Sequence, residues 1–122
     1  MHIESVKSLF TIFTGETNYD AFMPIINLAV SETEKMLRTD ADTEDVRLDF
    51  LCAAIANFRL VQIKSAKDRT LATAAGKVLN SENNSGTLKY AERLMCDYIS
   101  LCRDLIISDS FAFIGFGKGD EL

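Results

Sequence analysis

The sequence predicts an all-α fold, a bundle of about four helices, and three observations carry the prediction. Apolar residues recur at spacings of three and four in four separate stretches, at about 3–13, 22–38, 44–64 and 85–107. Residues with helix-start or helix-stop chemistry stand at the ends of these stretches. The third stretch contains VRLDFLCAAIANFRLVQIK at 46–64, which is apolar around most of its circumference, as a helix wetted on one side need not be. It reads as a central helix contacted on several sides, with Asp49, Asn57, Arg59 and Lys64 marking the narrow part left for water or a polar partner.

The first helix places Ile3, Val6, Phe10 and Phe13 on one stripe with Leu9 beside it, and Gly15 is suited to stop it in a left-handed cap. A polar turn follows, in which Tyr19 to Ala21 can form a preliminary turn of the second helix. Pro24 sits in the first turn of that helix, where its missing N–H costs nothing. Ile25, Leu28, Ala29, Glu32 and Met36 continue at helical spacing, Ile26, Val30 and Leu37 broaden the face, and Glu32, Glu34 and Lys35 are expected in solvent. Before the third helix, TDADTED offers Asp42 or Thr43 as the cap, and Glu44 and Asp45 favour the positive end of the helix dipole. The short connection makes helices two and three antiparallel neighbours.

After Lys64 the apolar pattern breaks, so residues 66–82 are expected as a long loop or a small hairpin hinged at Ala75-Gly76. The last helix starts near Asn84 or Ser85 and carries Leu88, Ala91, Met95, Tyr98, Cys102 and Leu105 on one stripe to about Ile107. Ser108 and Asp109 end it, and FAFIGFGKGDEL continues as an extended tail.

At 122 residues the chain fits a single domain over 1–122, with a flexible tail over 108–122. A hydrophobic fraction of 48% is too high for a disordered chain. The net charge of −5, with the thirteen basic residues scattered, excludes tight grip on nucleic-acid phosphates. No run approaches the ~18 apolar residues of a membrane span, and no secretory leader is visible, so a cytoplasmic protein is expected. Cys52, Cys96 and Cys102 sit in apolar helical patterns and are expected to be reduced.

Motifs with chemistry fail on inspection. His2 has no cysteine or carboxylate at ligand spacing and stands where chains usually fray. Asp40, Asp42 and Glu44 alternate like a calcium loop, but Asp45 and Leu51 occupy the positions of its glycine and its bidentate Glu. No Ser-His-Asp set, Cys-His set, metal motif or P-loop occurs, so no catalytic residue, metal or cofactor is expected. A carboxylate pair brought together by folding, such as Asp49 and Asp97, would be needed to revive an enzyme reading. The unsettled feature is the tail, where Phe111, Phe113, Ile114 and Phe116 need burial. They either pack back on the bundle or dock on a partner.

Taken together, NYDAFMPIINLAVSETEKML, the Ala-rich RLDFLCAAIANFRLVQI, the Ala75-Gly76 step and a last helix leading into FAFIGF resemble the small helical head–tail connector proteins of tailed bacteriophages and prophages. The resemblance implies a structural virion-assembly subunit without enzymatic activity. It would form a ring by self-association, contact portal, stopper or tail-completion proteins, and let DNA through as passing cargo. It would occur in the bacterial cytoplasm and in the virion. The implied partner-binding residues are Leu71, Val78 and Leu79 in the loop and Phe111, Phe113, Ile114 and Phe116 in the tail. The alternative is a small cytoplasmic regulatory module that binds a single partner through the apolar tail.

Overall fold

The structure, a computed structural model, describes the backbone of residues 1–74 and 81–107 and the side chains of 1–67 and 86–107. Among the described residues four α-helices form: α1 (Ile3–Thr14), α2 (Met23–Met36), α3 (Val46–Ala74) and α4 (Ser81–Leu101), with a 3₁₀ turn at Tyr19–Phe22 before α2. The all-α bundle expected from the sequence is the fold. Gly15 ends α1 with φ +77° and donates its N–H to the Thr11 carbonyl, as a left-handed cap does.

α3 is the centre, packed against α1, α2 and α4. Every residue from 48 to 60 is buried except the partly exposed Phe50 and Arg59. Ala53, Ala54 and Ala56, all fully buried, keep α3 slim and let neighbouring backbones approach. Phe10 of α1, Ile26 and Met36 of α2 and Met95 of α4 belong to the same buried cluster as Leu48, Leu51 and Ile55 of α3. Each such large side chain contributes about 1.5–3 kcal/mol by leaving water.

Ion pairs report how the helices run. His2 pairs with Asp49 and Glu16 with Lys64, partners 47 and 48 residues apart, so α1 lies parallel to α3 in constant register. Glu32 of α2 reaches Arg59 of α3, and the short connection 37–45 folds the two packed helices back on each other, so α2 runs antiparallel to α3. α4 is also antiparallel: Phe50 stacks on Tyr98 at 5.5 Å, and Arg47 reaches the carbonyl of Leu101.

Several expected boundaries are corrected. α3 does not stop at 64 but continues to Ala74, so residues 66–74 are helical where a loop or hairpin was expected. SAKDRTLATA is rich in good helix formers, and extending an existing helix is cheap. Its weak apolar stripe follows from position, because Lys64 already meets Glu16 beyond the end of α1. α4 begins at Ser81, one turn before the expected start, and ends at Leu101 instead of 107. After Leu101 the chain makes a tight turn, with Leu105 N–H on the Cys102 carbonyl at 2.7 Å. It then pairs with the α2–α3 connection: Arg38 N–H donates to Leu105 O and Ile107 N–H to Met36 O, bracketing an antiparallel bridge between Leu37 and Ile106. Turning back buries Leu105 and Ile106 against the core.

The face of α2 is also shifted by one position. Ile26, Ala29, Thr33 and Met36 are buried, whereas Leu28 is exposed. Thr33 enters the core because its hydroxyl donates to the Ala29 carbonyl at 2.7 Å. Glu32, expected in solvent, is mostly covered and grips Arg59 with both oxygens.

Candidate functional site

Of the residues expected to bind partners, Leu71 lies on the backbone of α3 with its side chain outside the described residues. Val78, Leu79, Phe111, Phe113, Ile114 and Phe116 all lie outside the described residues. What the structure assembles instead is a cleft, two apolar ends and a polar clasp.

The cleft lies between α1 and α4, over the face of α3, with a volume of about 450 Å³. α3 supplies the floor through Asn57, Leu60, Val61 and Lys64. α1 supplies Phe13 and Thr14, and α4 supplies Thr87, Tyr90, Ala91 and Leu94. Phe13 of the lining also meets the Tyr98 ring, at 6.0 Å between centroids. Lys64 is held by Glu16 at 2.7 Å, and the lining is mostly apolar with Thr14, Asn57, Lys64 and Thr87 as its polar members. That is the usual composition of a site for an apolar ligand or side chain.

Exposed large apolar side chains are divided between the ends of the bundle. By the registers above, Ile12, Leu28, Ile63 and Tyr90 lie near the level of Leu60, at the cleft end. Ile3, Val46 and Leu101 lie near the level of Val46, at the other, and Ile107 is exposed beside the end of α2. Among the described residues α1, α3 and α4 each expose one such side chain at either end. The two levels are about 20 Å apart along α3, at ~1.5 Å per residue.

The clasp corrects the expectation that His2 is frayed and without a carboxylate. Its backbone N–H donates to Asp49 Oδ1 at 2.8 Å. Its ring Nδ1 lies 3.1 Å from Asp49 Oδ2, and Nε2 lies 2.7 Å from Glu44 Oε1. The Met1 ammonium bonds to the Thr43 carbonyl and lies 3.9 Å from Glu44. Hydrogen bonds to Asp49 first and Glu44 second hold the His2 pKa above its ordinary value. Asp49, expected at the watery edge of α3, is buried at 1% exposure, and His2 gives it its partners.

A second polar cluster ties the start of α3 to the end of α4. Arg47 bonds both Asp45 oxygens and both Asp104 oxygens, and donates to the Leu101 carbonyl at 2.9 Å. That carbonyl belongs to the last turn of α4, where a cation is favoured. The Arg47 guanidinium holds the Asp45 carboxyl at about 2 and lowers that of Asp104. Asp45, not Asp42 or Thr43, caps α3: its Oδ1 accepts from Arg47 N–H at 2.9 Å.

The three cysteines are free thiols. Burial pushes Cys52 up to about 12 and Cys102 to about 11, and raises Cys96. These thiols are protonated near neutral pH and therefore poor nucleophiles. Among the described residues no group of three or more His, Cys, Asp and Glu is arranged to hold a metal ion, and no helix is long and apolar enough to cross a membrane. No protein-family model, curated protein or solved structure matches the chain.

Proposed function

We propose that this chain is a structural assembly subunit of the head–tail connector type, one member of a ring between a phage portal and the proteins on its tail side. It contributes apolar contact surface and no catalysis. One observation carries the reading: large apolar side chains are exposed at both ends of the bundle, on α1, α3 and α4 alike. A link between two bodies needs two contact surfaces, and its apolar groups belong where partners cover them. The net charge of −5 fits a channel that DNA passes without being held by its phosphates. Portal, stopper or tail-completion proteins are the partners, and DNA is the cargo, in the bacterial cytoplasm and then in the virion.

The test is light scattering of the purified chain, alone and mixed with the portal. Large rings or ring-on-portal complexes support the proposal. A one-to-one complex with a single partner would replace it with the regulatory module.

A further inference from the structure

We infer that the cleft between α1 and α4 is the docking site of this chain's own C-terminal phenylalanine segment, FAFIGF at 111–116. The first ground is reach. The described chain ends at Ile107, whose N–H is pinned to the carbonyl of Met36, the last residue of α2. The cleft opens around Leu60 and Val61, about 20 Å from the start of α3 at ~1.5 Å per residue, so the axial distance from Ile107 is no greater than that. Residues 108–116 span up to about 30 Å when extended, at roughly 3.3 Å per residue. That covers the axial distance and leaves slack to pass around α4.

The second ground is fit. Phe13, Leu60, Val61, Ala91 and Leu94 give the cleft an apolar lining, and its volume of about 450 Å³ suits aromatic side chains. The alternation of Phe111, Ala112 and Phe113 sends two rings the same way on an extended strand, and Gly115 and Gly117 leave the backbone free to follow the groove. The third ground is competition. A segment tethered this closely acts at millimolar effective concentration, so it fills the cleft ahead of a second copy or a free peptide.

The experiment is methyl NMR on the full chain and on its F111S/F113S/F116S variant. In the variant, the methyl resonances of Leu60, Val61 and Leu94 shift, while those of Leu48 and Ile106 stay in place. The wild-type positions do not depend on protein concentration, and a peptide of sequence 108–122 added at millimolar concentration to the variant restores them. Unmoved cleft methyls overturn the inference. So does a mixed-label sample in which the Phe-to-methyl NOEs arise between molecules, which makes a second copy the occupant. If the variant loses its fold, wild-type NOEs from the tail Phe rings to the Leu60, Val61 and Leu94 methyls decide: present they support the inference, absent they overturn it. The proposal is independent of the connector reading, because it concerns the monomer before any portal is present.

Discussion

Asp49 receives two hydrogen bonds from His2, one from the backbone N–H at 2.8 Å and one from ring Nδ1 at 3.1 Å, although 47 residues separate the two in sequence. The carboxylate is buried while the ring is half-exposed, so the imidazole acts as a lid on a charge that would otherwise lack partners. Only the imidazolium can donate to Asp49 and Glu44 at once, because neutral histidine carries a single ring N–H.

Stability should therefore fall on the alkaline side. The His2 pKa is raised in the folded state, so its contribution is complete below the unfolded value of about 6.5 and is lost as pH rises through the folded value. The charged groups facing the ring are Asp49 of α3 and Glu44 of the preceding turn, with the Met1 ammonium beside Glu44. Thermal melts of wild type and His2→Gln should differ most near pH 5 and converge toward pH 9. A difference that does not change with pH would refute the lid.

The Arg47 cluster predicts the opposite sign in acid. The carboxyl groups of Asp45 and Asp104 are lowered, that of Asp45 to about 2. Their contribution is complete above the unfolded value of about 3.9 and is lost as pH falls through the folded value. Arg47→Met should narrow the gap to wild type between pH 4 and pH 2. It should also speed hydrogen exchange at the Leu105 and Ile107 amides, because the turn after α4 loses the guanidinium on the Leu101 carbonyl.

Gly15 holds φ +77° with open space around the position of a Cβ, so a substitution there meets conformational strain alone. Gly15→Ala should cost about 1–2 kcal/mol in urea unfolding, and Gly15→Asn less, since Asn visits the left-handed region more readily. Equal stability of Gly15→Ala and wild type would contradict the cap.

Leu51 is fully buried in the middle of α3. Leu51→Ala should destabilise by about 2–5 kcal/mol, the loss of transferred surface plus an unfilled cavity. Ile63→Ser, at an exposed position of the same helix, should leave the unfolding midpoint nearly unchanged. If Ile63 belongs to a contact end, the same variant lowers ring assembly with the portal, read by light scattering.

Much of the fold is legible in the residues because helix formation is written locally. The broad apolar coat of 46–64 implies neighbours on several sides, and α1, α2 and α4 provide them. The cap at Gly15 is likewise written in the residues themselves. The end of α4 is not, because Cys102 and Leu105 keep helical spacing with the preceding stripe, while the groups that meet the chain past Leu101, Arg47 on its carbonyl and the Leu37 bridge to Ile106, come from more than fifty residues away. Nor is the function of Thr33 as a core residue, since its hydroxyl is satisfied by a carbonyl of its own helix.

The amino-acid order by itself determined the helical class, the central place of the third helix and the left-handed stop of the first, since each rests on contacts within a few residues. Tertiary structure alone decided that His2 covers Asp49, that Arg47 bonds the last carbonyl of α4, and that a cleft opens between α1 and α4. Those depend on how helices distant in sequence align along α3, and spacing within any one helix carries no information about that register.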